Sequence, residues 1–277
     1  MKKMIPEIII YTILIFLIIA FLAPFVWTVF TSLKPDSEIY SKTIKLFPQK
    51  IVFTQYIRVI SKMQDFPLFF YNTVSVTFWT LVLIVFLSTT SGYAFGVVNF
   101  RGQRVFLSFI LLVLTLPYAL YLIPVYLMLD KVNLINTHFA LVLPYAALNL
   151  PMSSLIMRGS FKSIPKELEE AAIIDGCNMF QTWAKVMLPI VKSSVAVVIV
   201  LAFINVWGEF MYAQTLTNSP AAQTLAIGIT FLRDEAASWQ FGPLSTAITL
   251  SIIPPFIIFI MMQRYFVKGI IEGALKG

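Results

Sequence analysis

Long apolar runs constrain this chain more than any other feature of its sequence. The first of them, residues 8–30, has 23 residues, and as a helix it would span about 34 Å, enough for a bilayer core of about 30 Å. Five later runs share this character. The six predicted spans are residues 8–30, 73–98, 105–129, 139–157, 190–210 and 244–262. Because lipid cannot hydrogen-bond the backbone, we expect an all-α integral membrane protein with six transmembrane helices.

A cleaved signal peptide is the competing interpretation of the first run. The run is long for that purpose, and residues 20–23 (Ala-Phe-Leu-Ala) make a poor cleavage site. A permanent first span is therefore the favoured interpretation.

Composition excludes several classes of protein. The chain is 59% hydrophobic and 12% charged, with an excess of seven positive charges, which fits anchoring beside anionic lipid headgroups better than binding nucleic acid. The single cysteine, Cys177, excludes an intrachain disulfide. Since the single histidine, His138, is distant in sequence, we also expect no Cys/His zinc site.

The distribution of basic residues predicts the orientation in the membrane. Six spans put both termini on one side. That side, which includes the turn at 99–104 and the interval from residue 158, holds 12 lysine and arginine residues in roughly 63 positions, against 8 in roughly 83 on the other side. The bias favours a cytoplasmic location for both termini and for the interval 158–189.

The interval 158–189 is the only long polar stretch whose pattern predicts a folded helical unit. Ser163 and Pro165 are expected to open a helix, because a hydroxyl caps free N–H groups and proline is tolerated in the first turn. The acidic residues that follow favour its N-terminal end. Ile164, Leu168, Ala171 and Asp175 fall at helical spacing. One side of this helix is therefore apolar, with small side chains near its middle.

A bend is expected in the middle of this interval. Gly176 should end the first helix in the left-handed conformation, and Asn178 should cap a second helix with Gln181 as its reciprocal partner. The second helix has an apolar stripe. Its members are Phe180, Trp183, Ala184 and Met187. We therefore predict a bent pair of amphipathic helices that suits docking into a cleft on another protein.

The spacing within this bend resembles a known signature. Glu170-Ala171-Ala172, three residues, Gly176, nine residues, then Val186, one residue and Leu188-Pro189 is similar to the coupling loop of ABC importer permeases, with valine in place of the usual isoleucine. Further segments resemble the maltose-type carbohydrate-uptake branch. They are residues 31–35 (TSLKP), 164–170 (IPKELEE), 207–210 (WGEF, where asparagine is commoner than Gly208) and 263–269 (QRYFVKG).

This resemblance implies a type I ABC importer permease fold with a cytoplasmic coupling-helix loop between transmembrane helices 4 and 5. It implies three regions: 1–72 with the first helix and an outer loop, 73–265 as the permease core containing the loop 158–189, and 266–277 as a cytoplasmic tail. The ATPase-coupling residues that it implies are Glu170, Ala171, Ala172, Asp175, Gly176, Leu188 and Pro189.

The resemblance also implies the partners and the location. The chain would work in a bacterial or archaeal cytoplasmic membrane with ATP-binding cassette ATPase subunits, a second permease that is a different chain, and an extracytoplasmic solute-binding protein. The substrate would be a sugar or related carbohydrate. No cofactor is expected on this chain, because ATP would be bound by the partner subunit.

Glu209 is the only carboxylate placed inside or at the end of a predicted span. Intramembrane charges usually face protein or water. Glu209 is therefore a candidate for contact with substrate, for pairing with another helix, or for reaching the outer interface. Asn205 lies one turn earlier on the same face and is a candidate for the same hydrogen-bond network. Prolines within three spans are expected to kink helices, which suits a translocation path, although membrane helices in general carry more proline than soluble ones.

Two classes of function remain after these observations. The chain has no phosphate-binding loop and no nucleophile elbow, so we expect neither ATP hydrolysis nor another enzymatic activity from it. A permease that borrows energy from an ATPase is the first class. A stand-alone secondary transporter or channel for a small polar solute is the alternative, although such proteins usually carry more intramembrane ionisable groups and repeated halves.

Overall fold

The fold is built from helices, as predicted. The computed structural model describes residues 4–43, 45–62, 65–232 and 240–274, and every regular element in these ranges is helical. In chain order they are α1 (Met4–Ser32), α2 (Asp36–Ile39), α3 (Thr54–Lys62), α4 (Phe66–Gly96), α5 (Gln103–Thr115), a 3-10 turn (Tyr118–Tyr121), α6 (Leu122–Lys131), α7 (Phe139–Lys162), α8 (Lys166–Ile174), α9 (Met179–Gln181), a π-helical turn (Thr182–Met187), α10 (Leu188–Ile190), α11 (Lys192–Trp207), α12 (Met211–Leu216), α13 (Leu225–Thr230) and α14 (Phe241–Ala274).

Six spans are supported by length and apolar character. Four single-helix candidates are Ile9–Ser32, Phe66–Gly96, Phe139–Lys162 and Phe241–Arg264. Two more are bent pairs: Gln103–Thr115 with Tyr118–Lys131, bent by 101°, and Met179–Ile190 with Lys192–Trp207, bent by 81°. Counting each pair as one span gives six. In the second pair, Lys192–Trp207 corresponds to the predicted fifth span at 190–210, and Met179–Ile190 falls almost entirely in the polar interval 158–189.

The third predicted span is not one continuous helix. It breaks after α5, where Leu116 is extended (φ −87°, ψ 135°) immediately before Pro117. A residue that precedes proline is disfavoured in the helical region, so the break follows from the sequence. Pro124 does not interrupt α6, because it lies in the first turn of that helix, where proline is tolerated.

Several helices extend beyond the predicted apolar runs. α4 begins at Phe66 rather than at residue 73, and it includes Asn72, which is 1% exposed. The Asn72 amide donates to the carbonyls of Pro220 (3.0 Å) and Gln223 (2.9 Å), so its polar group is satisfied within the fold. α7 likewise continues past residue 157 to Lys162.

The chain forms two compact units. The first comprises Met1–Pro67 and Gly228–Ile253. It contains α1, whose apolar side chains are almost all exposed, as expected for a lipid-facing helix. It also contains α3. An ion pair between Arg58 and Asp36 joins α3 to α2.

The second unit comprises Leu68–Ile227 and Pro254–Gly277, and its core lies between α4, α7 and α11. Two glycines of α4 allow a close approach of α7 in this unit. A Cβ atom at Gly92 would lie 2.4 Å from the Met157 Cβ, and one at Gly96 would lie 2.9 Å from the Arg158 carbonyl oxygen. The backbones of α4 and α7 therefore approach closely only because these positions are glycine.

Candidate functional site

The bent helix pair predicted between two spans is present, but its start differs from the prediction. α8 begins at Lys166 after Pro165, and no side chain caps it. Ser163 instead ends α7 in a helical conformation and donates its hydroxyl to the Ser160 carbonyl (2.8 Å). The predicted serine cap is wrong, because α7 extends to Lys162 and Ser163 is its C-terminal cap residue.

The bend itself follows the prediction. Gly176 has φ +83°, and two backbone hydrogen bonds close the end of α8: Cys177 N to Ala172 O (3.0 Å) and Gly176 N to Ile173 O (3.0 Å). This pair of bonds is a Schellman motif, which needs a left-handed residue at the glycine position. The bend is therefore encoded locally by Gly176.

The second helix of the pair starts as predicted. Asn178 and Gln181 exchange two hydrogen bonds, Asn178 N to Gln181 Oε1 (3.0 Å) and Gln181 N to Asn178 Oδ1 (2.9 Å), which form a capping box. The helix then becomes π-helical over Thr182–Met187. Trp183 and Met187 of the predicted stripe are buried, whereas Phe180 is 64% exposed.

Much of the outer face of this pair is apolar and exposed. We call it the loop surface. It consists of Leu168, Ile173, Ile174, Met179 and Phe180, exposed by 43% to 85%. Exposed apolar patches of this kind are typical of interaction sites.

The seven predicted coupling residues divide by exposure. Those that are exposed are Glu170, Ala171, Asp175, Gly176 and Pro189. Ala172 is 5% exposed and faces the interior of its own chain, while Leu188 is half-buried against the core. Of the two alanines, only Ala171 is therefore available to a partner.

Two hydrogen bonds in this region were missed by sequence reasoning. The Tyr93 hydroxyl of α4 donates to Glu169 Oε1 of α8 (3.2 Å) and ties the helix pair to a membrane helix. Arg158 Nε of α7 donates to the Phe95 carbonyl of α4 (3.1 Å) and joins two membrane helices to each other. These partners are 76 and 63 residues apart in the chain, and nothing in the local sequence signals that they meet.

A second feature of interest is a cavity of about 680 Å³ beside the end of α11. Its volume lies in the range of ordinary ligand pockets. Its lining mixes aromatic rings with amide and carboxylate groups. The polar and aromatic side chains are Tyr118, Tyr145, Asn149, Asn205, Glu209 and Phe210. The structure thus brings both predicted pathway residues, Asn205 and Glu209, to one cavity.

Glu209 is fully engaged within the fold. It lies just past α11 and accepts hydrogen bonds from the Tyr145 hydroxyl (2.5 Å) and from the backbone N–H groups of Tyr212 (3.0 Å) and Ala213 (3.2 Å). The carboxylate therefore caps the N-terminus of α12, where negative charge is favourable. Of the three predicted roles for Glu209, pairing with another helix is the one directly seen.

Asn205 joins the same network through a neighbour. Its amide donates to Asn149 Oδ1 (2.8 Å), and the Asn149 amide donates to the Tyr145 carbonyl (2.8 Å). Burial, together with the nearby Glu209 carboxylate, raises the pKa of Tyr212 to about 12. The Tyr212 hydroxyl therefore stays protonated and donates to the Tyr118 carbonyl (2.8 Å).

The described residues offer no metal-binding cluster of three or more His, Cys, Asp or Glu side chains. His138 instead pairs its Nε2 with the Asn72 Oδ1 (3.0 Å).

Comparisons with known proteins agree with these features. Residues 88–272 match the family described as binding-protein-dependent transport system inner membrane component. The chain is 35% identical over 256 residues to the sulfoquinovosyl glycerol transport system permease protein SmoH of Agrobacterium fabrum, covering 92% of this chain and 89% of that protein. It is 30% identical over 257 residues to the trehalose/maltose transport system permease protein MalG of Thermococcus litoralis, covering 92% of each.

Solved structures share the fold. A chain of a bacterial ABC transporter involved in the import of the acidic polysaccharide alginate superposes with a TM-score of 0.84, covering 96% of this chain and 98% of that one, at 24% identity. This structural similarity establishes the type I ABC importer permease fold that the loop signature implied.

Proposed function

Because the chain belongs to the family of binding-protein-dependent transport system inner membrane components, we propose that it is a permease subunit of an ATP-driven importer for a carbohydrate. Members of this family are components of membrane transport systems and are not enzymes. The observation that carries the proposal is the bent helix pair of α8 and the segment 179–190, which has the loop signature, an exposed apolar surface and a direct tie to the spans.

The loop surface supports an ATPase as the docking partner. The chain itself has no phosphate-binding loop, so ATP would be bound and hydrolysed by separate subunits. In this proposal Glu170 and Asp175 are polar contacts, Ala171 is the point of closest approach, Gly176 sets the bend, and Leu188-Pro189 anchors the second helix to the core. Ala172 supports the loop from inside.

The cavity beside α11 supports a sugar as the substrate class. Sugars present hydroxyl groups to amides and carboxylates and apolar faces to aromatic rings, and the cavity offers both through Asn149, Asn205, Glu209 and Tyr118. Relatives named for transport of trehalose/maltose and of sulfoquinovosyl glycerol favour the same class. Asn205 and Glu209 are thus proposed to line the translocation path.

Transport would follow from rigid-body movement. ATP binding would close the ATPase pair, move the docked helix pair and swing the spans, converting an inward-facing cavity to an outward-facing one. A second permease, of a different sequence, would complete the path. Sugar released by an external solute-binding protein would enter, and ATP hydrolysis would restore the inward state.

Reconstitution tests this function directly. We expect proteoliposomes that contain the chain, its partner permease and the ATPase subunits to accumulate a labelled oligosaccharide when loaded binding protein and ATP are supplied. Accumulation should stop when the ATPase subunits carry an inactivated phosphate loop, because the permease has no energy source of its own. Uptake that persists with the inactive ATPase would favour the stand-alone secondary transporter instead.

Orientation has its own test, because Cys177 is the only cysteine of the chain and is partly exposed. We propose that both termini and the helix pair are cytoplasmic, as the lysine and arginine bias favours. A membrane-impermeant thiol reagent is then expected to label Cys177 in inside-out vesicles and not in sealed right-side-out vesicles.

The control for this labelling moves the thiol to the other side. Asn218 is exposed in the segment after α12, and in an Asn218→Cys, Cys177→Ala variant the accessibility should reverse. Labelling of Cys177 from outside would contradict the orientation and would also remove the ATPase as a docking partner.

A further inference from the structure

We propose that the hydrogen bond from Tyr93 to Glu169 transmits movement of α8 into the membrane helices. This inference rests on the proposed function, because it assigns a positioning role within an ATP-driven importer. Tyr93 is 4% exposed, its ring packs edge-on against Phe161 of α7 at a centroid distance of 5.7 Å, and its hydroxyl donates to Glu169 Oε1 (3.2 Å). The side chain is therefore fixed at its base and joined to α8 at its tip.

The receiving side of this hydrogen bond is rigid. Next to Tyr93, Gly92 leaves no room between α4 and the Met157 side chain, and one turn on Gly96 packs against the α7 backbone. Arg158 Nε adds a hydrogen bond from α7 to the Phe95 carbonyl (3.1 Å). Because close-packed helices move as units rather than deform, a pull on Tyr93 should displace α4 and α7 together.

The two neighbouring glutamates of α8 differ in exposure and in contacts. Glu170 is exposed and belongs to the family signature, whereas Glu169 is half-buried and meets Tyr93. Among the side chains that the structure describes, Tyr93 makes the one hydrogen bond between α8 and a membrane helix. α8 also packs through apolar burial at Ala172, which is 5% exposed. Apolar contacts are non-directional, whereas a hydrogen bond to a carboxylate depends on distance and angle.

The experiment measures sugar imported per ATP hydrolysed in the reconstituted complex. Tyr93→Phe and Glu169→Met each remove the bond with little change in size, and we expect each to lower this ratio by about tenfold while the ATPase still co-purifies. Glu169→Gln keeps an oxygen acceptor and should retain most of the ratio. Tyr71→Phe is the matched control, because Tyr71 lies on the same helix and is 63% exposed.

The double variant separates transmission from general damage. If the two residues act through one bond, Tyr93→Phe should have no further effect in the Glu169→Met background. An additive loss, an unchanged ratio, or a parallel fall of ATPase co-purification and uptake would each overturn the inference. Should Tyr93→Phe fail to assemble, Glu169→Met alone carries the test, because Glu169 is only half-buried.

Failure of the inference and failure of the proposed function are distinguishable. A wild-type complex without ATP-dependent uptake refutes the importer itself. A wild-type complex that transports, with a Tyr93→Phe complex that transports at the same ratio, refutes only the role of this hydrogen bond.

Discussion

Replacing Gly176 with valine is expected to weaken association with the ATPase subunits by about tenfold while leaving membrane insertion intact. Gly176 has φ +83° and no atom lies within 4 Å of a Cβ placed there, so the effect comes from the backbone and not from a clash. A β-branched residue resists the left-handed conformation. The Schellman bond pattern should then open and turn the exposed side chains of α8 away from those of the second helix. The measurement is retention of the ATPase by the purified permease as salt or detergent is increased.

Two matched substitutions isolate the backbone effect. Gly176→Asn should bind the ATPase nearly as well as wild type, because after glycine asparagine adopts the left-handed conformation most readily. Gly159→Val adds the same side chain at an exposed position inside α7, where a Cβ also meets nothing within 4 Å, and it should leave association unchanged. Wild-type retention of the ATPase by Gly176→Val would remove the docking role from the bend.

The parts of the fold that the sequence predicts well are those that a single stretch of chain determines. Span number follows from run length because a bilayer core has one thickness, and the break before Pro117 follows from a local steric rule. The size of that bend, 101°, depends on packing and could not be read from the stretch. The early start of α4 was missed for a related reason, since Asn72 is satisfied by carbonyls 148 and 151 residues away.

The same distinction separates the site residues. Gly176, Asn178 and Gln181 were assigned correctly because turn and capping geometry is local. Which alanine of the signature is buried depends on what packs against α8, so the burial of Ala172 was not foreseen. Tyr93 and Glu169 meet only through the packing of α4 on α7, and no periodicity within either helix indicates the pair.

Replacing Glu209 with alanine is expected to reduce sugar uptake by about tenfold or more, because three groups lose their acceptor at once. The Tyr145 hydroxyl and the backbone N–H groups of Tyr212 and Ala213 all donate to this carboxylate. Tyr145 and Tyr212 are buried, so neither can turn freely to water, and α12 loses its cap. The cavity beside α11 should therefore change shape in the Glu209→Ala variant. The measurement is initial uptake rate against sugar concentration at matched levels of assembled complex.

A charge-neutral substitution then decides between a cap and a sugar contact at Glu209. Glu209→Gln keeps an oxygen acceptor for the backbone N–H groups, so a purely structural carboxylate predicts uptake close to wild type. If the charge itself contacts sugar hydroxyls, Glu209→Gln should raise the half-saturating sugar concentration, because hydrogen bonds to a charged acceptor are the stronger ones. Asn205→Ala serves as the comparison: it lines the same cavity and breaks one hydrogen bond to Asn149, without uncapping a helix. Uptake by Glu209→Ala equal to wild type would show that neither role matters and would remove this cavity from the pathway.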